Sequence, residues 1–160
     1  MSSHIQVTVK GIEPRTVAYK WVKGSFTRVP ETIGEIVGWI MQRGLSMSGP
    51  PVAVYFNDPR HVAEEELTWE IQWPLSGDVA PAEPDEQGIG VKHVEPYDAA
   101  ATVFEGPYDQ VAPVYDALTQ WVMENGYEFA GPPEEVYLND PNAEPRQEPL
   151  TEIRFPVTKK

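Results

Sequence analysis

Apolar residues recur along the chain with two different periods, and the switches between them predict the elements. Arg15 to Lys23 alternates with period two, placing Val17, Tyr19 and Trp21 on one face and Ala18, Lys20 and Val22 on the other, as in a strand. Val7 and Val9 predict a shorter strand before it, closed at Glu13-Pro14. After Gly24 the period lengthens. Ile33, Ile36, Val37, Ile40 and Met41 then follow helical spacing with one buried stripe, starting near Pro30 and stopped at Gly44. Val52 to Phe56 and Leu67 to Trp73 return to strand period, joined by Asn57-Asp58-Pro59 and an acidic loop. Pro74 is expected to end the last strand, because it has no N–H for a ladder bond. The order is β-β-α-β-β.

The same order occurs twice. A constant offset of 82 residues aligns Val7–Pro74 with Ile89–Pro156 without a gap, and about a third of the aligned positions are identical. Gly49-Pro50-Pro51 recurs as Gly131-Pro132-Pro133, Tyr55-Phe56-Asn57-Asp58-Pro59 as Tyr137-Leu138-Asn139-Asp140-Pro141, and Glu70-Ile71 as Glu152-Ile153. Tyr115, Leu118, Val122 and Met123 form the second helical stripe, stopped by Gly126. Residues 5–75 are thus the first repeat, 76–88 a Pro/Gly-rich acidic linker, and 89–158 the second repeat. Each repeat alone is small for an independent core, so residues 1–160 are expected to form one domain. The expected fold class is α+β: two pseudo-symmetric β-β-α-β-β units forming antiparallel sheet, with the helices on one face and a central ligand cleft.

Charge and composition narrow the partner. Lys+Arg 12 against Asp+Glu 25 gives a net charge of −13, and most of the excess falls after residue 80, where 5 basic residues face 16 acidic ones. Such a chain repels phosphate backbones, so direct nucleic-acid binding is not expected. No cysteine is present, which removes disulfides and thiol catalysis. Met1-Ser2-Ser3-His4 has neither the charged nor the apolar region of a signal peptide, and no apolar run is long enough to span a bilayer. The expectation is a cytoplasmic chain without membrane contact, with monomer and homodimer both open. His4, His61 and His93 lack metal-ligand spacing, and no phosphate-binding or nucleophile-elbow motif is found, so neither metal nor cofactor is expected.

The candidate chemistry lies on the last strand of each repeat. Period-two geometry sets Trp69, Ile71 and Trp73 on the helix side and Glu70 on the other; Ile153 and Phe155 likewise leave Glu152 and Arg154 facing away from the helix. Glu70 and Glu152 are therefore expected to line the cleft, with Tyr55, Tyr137, Tyr19, Trp21 and Tyr108 as its aromatic walls. A carboxylate among aromatic rings attracts lipophilic cations by charge and by cation–π contact. Burial would also raise its pKa toward that of a general base.

Gly106-Pro107-Tyr108 before a helix, Trp121 within it, Gly126-Tyr127 after it, the run Gly131 to Pro141 and Thr151-Glu152-Ile153-Arg154-Phe155-Pro156-Val157 together resemble the GyrI-like small-molecule-binding family. That fold is shared with the effector-binding halves of multidrug-sensing transcription activators. The resemblance covers nearly the whole chain and implies an aromatic-walled pocket whose buried glutamate falls on Glu152. It also implies three classes of member: domains fused to DNA-binding domains, stand-alone binders including gyrase inhibitors, and stand-alone hydrolases of strained cyclopropane-bearing alkylating natural products. Few residues precede the first strand, so a stand-alone member is expected. The leading expectation is binding of small hydrophobic or cationic aromatic molecules. The alternative is a hydrolase, with Glu152 activating water and Tyr137 steadying the leaving oxygen. The third is a gyrase-inhibitor-like protein that binds a large partner through its acidic second half.

Overall fold

A computed structural model describes residues 5–139 and 148–160; Asp140 and Pro141 of the repeated loop lie outside the described residues. The chain falls into two compact units, each an antiparallel sheet with one helix.

The unit running from Pro14 to Glu95 contains β2 (Arg15–Lys23), α1 (Val29–Gln42), β3 (Val52–Tyr55), β4 (Thr68–Leu75) and β5 (Ile89–Val94). Its strand order is β5-β2-β4-β3. Trp69 and Ile71 are fully buried on the face that α1 covers, and so are Ile36 and Ile40 of the helix. Burying each such side chain contributes about 1.5–3 kcal/mol. Pro at the first turn and Gly44 beyond the last one, at φ +66°, bound the helix as the sequence requires.

The second unit joins β1 (Thr8–Ile12) to the chain from Pro96 onward: β6 (Tyr97–Glu105), α2 (Ala112–Glu124), β7 (Tyr127–Phe129), β8 (Glu134–Tyr137) and β9 (Leu150–Lys159). The order is β1-β6-β9-β8, with β7 pairing the far end of β9. Its core sets Leu118 and Val122 of α2 against Ala100, Ile153, Phe155 and Val157.

The compact units are not the sequence repeats. β1 pairs with β6, and β5 pairs with β2, so each unit takes its first strand from the other repeat. Once that exchange is made, the registers agree to the residue. Val17↔Pro74 shifts by 82 onto Ala99↔Pro156, Val54↔Glu70 onto Val136↔Glu152, and Arg15↔Val94 has its counterpart in Ile12↔Tyr97.

Three local features depart from the sequence expectation. Pro74 does not end β4, which continues to Leu75, and Pro156 lies inside β9. The carbonyls of Pro74 and Pro156 accept from the backbone N–H of Ser48 and Ala130, so the missing N–H, on the same side as the carbonyl, costs the pairings with β2 and β6 no ladder bond. Short β7, after Gly126, is an additional strand. The segment between the repeats is packed against its neighbours: Ala82 bridges to Val91, and a Cβ on Gly90 would come within 2.6 Å of the Ala82 carbonyl oxygen. Asp85 there accepts from the Trp39 indole at 2.8 Å and pairs with Arg43 at 3.0 Å.

Candidate functional site

Directly opposed residues in an antiparallel pair share a face, so the registers assign every candidate to a side of its sheet. Glu70 lies opposite Trp21 and Val54, and Tyr19 opposite Gln72, which puts Glu70, Gln72, Tyr19 and Trp21 on the face turned away from α1. Glu152 lies opposite Val103 and Val136, on the face turned away from α2. Tyr55 lies opposite Trp69, and Tyr137 opposite Thr151, so both tyrosines are on the helix-covered faces. They do not line the same walls as Glu70 and Glu152. A one-residue step along a strand changes side, and Tyr55 and Tyr137 are an odd number of ladder positions from the residues opposite the glutamates.

Neither glutamate is a lone buried charge. Lys92 reaches Glu70 at 2.7 Å, and the Gln72 amide donates to the same oxygen at 2.7 Å. Lys10 reaches Glu152 at 2.6 Å, while Arg154 donates to the other oxygen at 2.5 Å. Lys10 and Lys92 are repeat counterparts on the exchanged strands, so the exchange that completes each sheet also delivers the lysine to its glutamate. Burial disfavours ionised Glu152, but the hydrogen bonds and charges of Lys10 and Arg154 outweigh it and hold its carboxyl below the ordinary value. This reverses the direction expected for a general base at Glu152. Arg154 also stands 3.9 Å from Glu134, which accepts from the Tyr97 hydroxyl at 2.5 Å. That face thus carries a run of alternating charges.

On the helix-covered side of the same strand pair lies a different arrangement. Glu135 is opposite Ile153 and is buried. The Tyr115 hydroxyl from α2 donates to one of its carboxyl oxygens, and the Tyr137 hydroxyl donates to the other at 3.2 Å. Tyr108, nearly half exposed in the turn before α2, sets its ring edge-to-face on Tyr137 with centroids 5.7 Å apart. Among the described residues no basic side chain pairs with Glu135. Burial is the largest influence on it and pushes its carboxyl above the ordinary value, against the two hydroxyl hydrogen bonds. Glu135 is thus a buried carboxyl beside aromatic rings, two of them, Tyr137 and Tyr108, among the tyrosines expected to line the cleft. Tyr115 was missed because its position on the helical stripe read as core. Glu135 was missed because its repeat counterpart is Ala53, which hid it from a search for repeated polar residues.

A cavity of about 500 Å³ at the end of the other unit's sheet, bounded by Arg15, Thr16, Ser48, Leu75, His93 and Glu95, contains none of the candidate residues named above. Among the described residues, no group of three or more His, Asp or Glu side chains is placed to hold a metal ion, and no helix is long and apolar enough to cross a membrane.

The GyrI-like small-molecule-binding domain model matches residues 5–158. This chain belongs to that family. A comparison with curated proteins returns no significant match. Among solved structures, this GyrI-like chain is similar to the C-terminal domain of EcmrR, with 25% identity, a TM-score of 0.82, and coverage of 98% of this chain and 99% of that one. Against EcmrR in its complex with DNA the chain spans 58% of that protein's length. A hydrolase from Listeria innocua shares the fold at 13% identity and a TM-score of 0.69, with 98% of this chain and 94% of that chain covered. So does SAV2435, in a structure bound to tetraphenylphosphonium, at 10% identity and a TM-score of 0.54, with 96% and 94% covered. The α+β fold and the small-molecule-binding class expected from the sequence agree with these findings.

Proposed function

We propose that this GyrI-like chain binds small hydrophobic or cationic aromatic molecules, with Glu135 as the charged or hydrogen-bonding anchor and Tyr108, Tyr115 and Tyr137 as the aromatic contacts. One observation carries the proposal: Glu135 is buried, is held by two phenol hydroxyls, and has no cationic partner among the described residues. A cation entering beside it gains an ion pair in a medium of reduced dielectric, plus cation–π contacts of about 0.5–2 kcal/mol per ring. Glu152 lacks that opening, because Lys10 and Arg154 already satisfy it. Tetraphenylphosphonium, the ligand in the SAV2435 structure, is a fitting probe. Titration followed by tryptophan fluorescence should show binding that weakens at least tenfold in Glu135→Gln and changes less than twofold in Glu152→Gln. Equal affinity in the wild type and Glu135→Gln would sink the assignment.

A second reading, hydrolysis of a strained cyclopropane-bearing alkylator, is supported by the raised carboxyl of Glu135 beside two phenols. In that reaction Glu135 takes a proton from water, the water oxygen bonds to the ring carbon, and the electron pair of the broken C–C bond is delivered to an oxygen that Tyr137 protonates. Turnover of such a compound at the buffer rate would reject it.

A further inference from the structure

The face of the Pro14–Glu95 unit turned away from α1 contains an arrangement that the Glu135 site does not use. Glu70 is almost wholly buried, with its side chain 7% exposed, yet Lys92, its partner at 2.7 Å, keeps 38% exposure. The Lys92 ammonium also sits 4.3 Å from the centroid of the Tyr19 ring. Trp21, directly across the ladder from Glu70, presents its ring to solvent with 52% of its surface exposed. Burial, then the charge of Glu83, then that of Glu70 hold the Tyr19 hydroxyl above its ordinary value, so two carboxylates act on this ring. A buried carboxylate, a ring beneath the ammonium and an exposed indole alongside are the components that recognise an organic ammonium.

The repeat counterpart keeps the buried carboxylate, Glu152, but lacks both rings. There Ala101 replaces Tyr19, Val103 replaces Trp21, and Arg154 replaces Gln72, giving Glu152 a second, well-buried cation. The lysine is kept in both copies; the aromatic rings and the single neutralisation occur in only one. If the lysine served only to neutralise a buried glutamate, neither ring would be needed, since the other copy does without them.

We infer that the Glu70, Tyr19 and Trp21 face is a second binding site for aromatic or alkyl monocations, in which Lys92 is an internal stand-in cation that an external ammonium displaces. Lys92 is a positioning and competing residue here. Its stem is partly exposed and its ammonium can return to water, so it can leave without stranding a buried charge of its own. The incoming cation restores neutrality at Glu70 and takes the place over Tyr19. The site stands apart from Glu135 in residues and does not depend on the Glu135 assignment.

The test uses the full chain carrying Glu135→Gln, so that the site proposed above is weakened, and benzyltrimethylammonium as probe. Lys92→Met, which keeps the apolar stem and removes the competitor, should tighten probe binding at least tenfold. Adding Glu70→Gln should return it to the starting value, and Lys10→Met should give no gain, because Arg154 remains on Glu152. Neutral benzyl alcohol should gain nothing from Lys92→Met. No gain in Lys92→Met, or an equal gain for benzyl alcohol, would overturn the inference. Should Lys92→Met fail to fold, the intact lysine gives the answer. Saturating probe should raise acetylation of Lys92 by an activated ester at least threefold, read by mass spectrometry, while benzyl alcohol leaves it unchanged. Unchanged acetylation with the probe would equally overturn the inference.

Discussion

The two compact units have the same pairing registers, shifted by 82 residues, and yet differ where chemistry is concentrated. Where the unit from Pro96 onward has Glu135, the other has Ala53, fully buried; Tyr115 corresponds to Ile33. One side of one strand pair thus has Ala53 and a single phenol, Tyr55, in the first unit, and a carboxyl with two phenols in the second. On the opposite faces the sense of divergence reverses: Tyr19, Trp21 and Gln72 in the first unit correspond to Ala101, Val103 and Arg154 in the second. What stays constant is the frame, including the lysine from the exchanged strand and the glutamate it meets. Register is set by which face must be buried, so it tolerates changes that respect the pleat.

Giving the first unit the carboxyl of the second, with Tyr55 but no phenol counterpart of Tyr115 in place, has the largest expected effect. Ala53→Glu would place an ionisable group at a fully buried position, and is expected to cost about 3–5 kcal/mol, or to prevent folding at neutral pH. Adding Ile33→Tyr should recover part of that loss, as read from urea unfolding midpoints. If Ala53→Glu is tolerated with no change in midpoint, the two units differ less in their packing than the registers imply.

Gly90 gives a smaller effect and tests the connecting segment. Gly90→Ala would bring a methyl within 2.6 Å of the Ala82 carbonyl and 2.9 Å of the Pro84 nitrogen, both backbone atoms. We expect a loss of about 1–3 kcal/mol. Its counterpart, Thr8, already carries a side chain, so Thr8→Ala should cost much less.

Much of the frame was legible in the sequence, and the reasons for the gaps are specific. The strand Arg15–Lys23 follows its period along its whole length, and the helical stripe holds at Ile36 and Ile40, but Met41 at its edge is 68% exposed and Thr32 and Trp39 complete the buried face instead. The partner of β1 was not legible, because Val7 and Val9 record that a strand has one buried face but not which copy supplies the neighbouring edge. The side of each glutamate was also legible, since it follows from Ile71 and Ile153 alone. The ion partners of Glu70 and Glu152 were not, because Lys10 and Lys92 arrive by strand exchange. Glu135 shows a further limit of searching by repetition. A residue present in one repeat alone, as Glu135 is against Ala53, leaves no repeated signal in the sequence.

The charge-paired faces differ by one cation, and paired variants sharpen that difference. Glu152→Gln removes the charge that Lys10 and Arg154 share and leaves Arg154, only 15% exposed, with Glu134 at 3.9 Å, so we expect a loss of about 1–3 kcal/mol. Glu70→Gln removes the partner of Lys92 alone, which can turn to water, and should cost less. The pH dependence has a defined sign. The carboxyl of folded Glu152 lies below its unfolded value, so its contribution is complete above the ordinary carboxylate range and is lost as pH falls through the lowered folded value. Acid unfolding of Glu152→Gln should therefore begin from a lower stability and show a shallower dependence on pH.

Glu135 predicts the opposite slope and the smallest effect. Its folded carboxyl lies above the unfolded value, so the folded state binds a proton more tightly than the unfolded one. Its contribution is complete below the ordinary carboxylate value and is lost as pH rises through the raised folded value. Glu135→Gln keeps an oxygen to accept from one tyrosine hydroxyl but removes the titration. The variant should match the wild type within about 1 kcal/mol in mild acid, and lose less stability than the wild type as the pH is raised. Chemical unfolding at a series of pH values reads both arms. A wild-type curve that runs parallel to the variant across the whole range would mean that Glu135 titrates like an ordinary surface carboxyl. The contrast with Ala53 would then be one of polarity alone, and the case for Glu135 as the anchor would rest on its rings rather than on its charge.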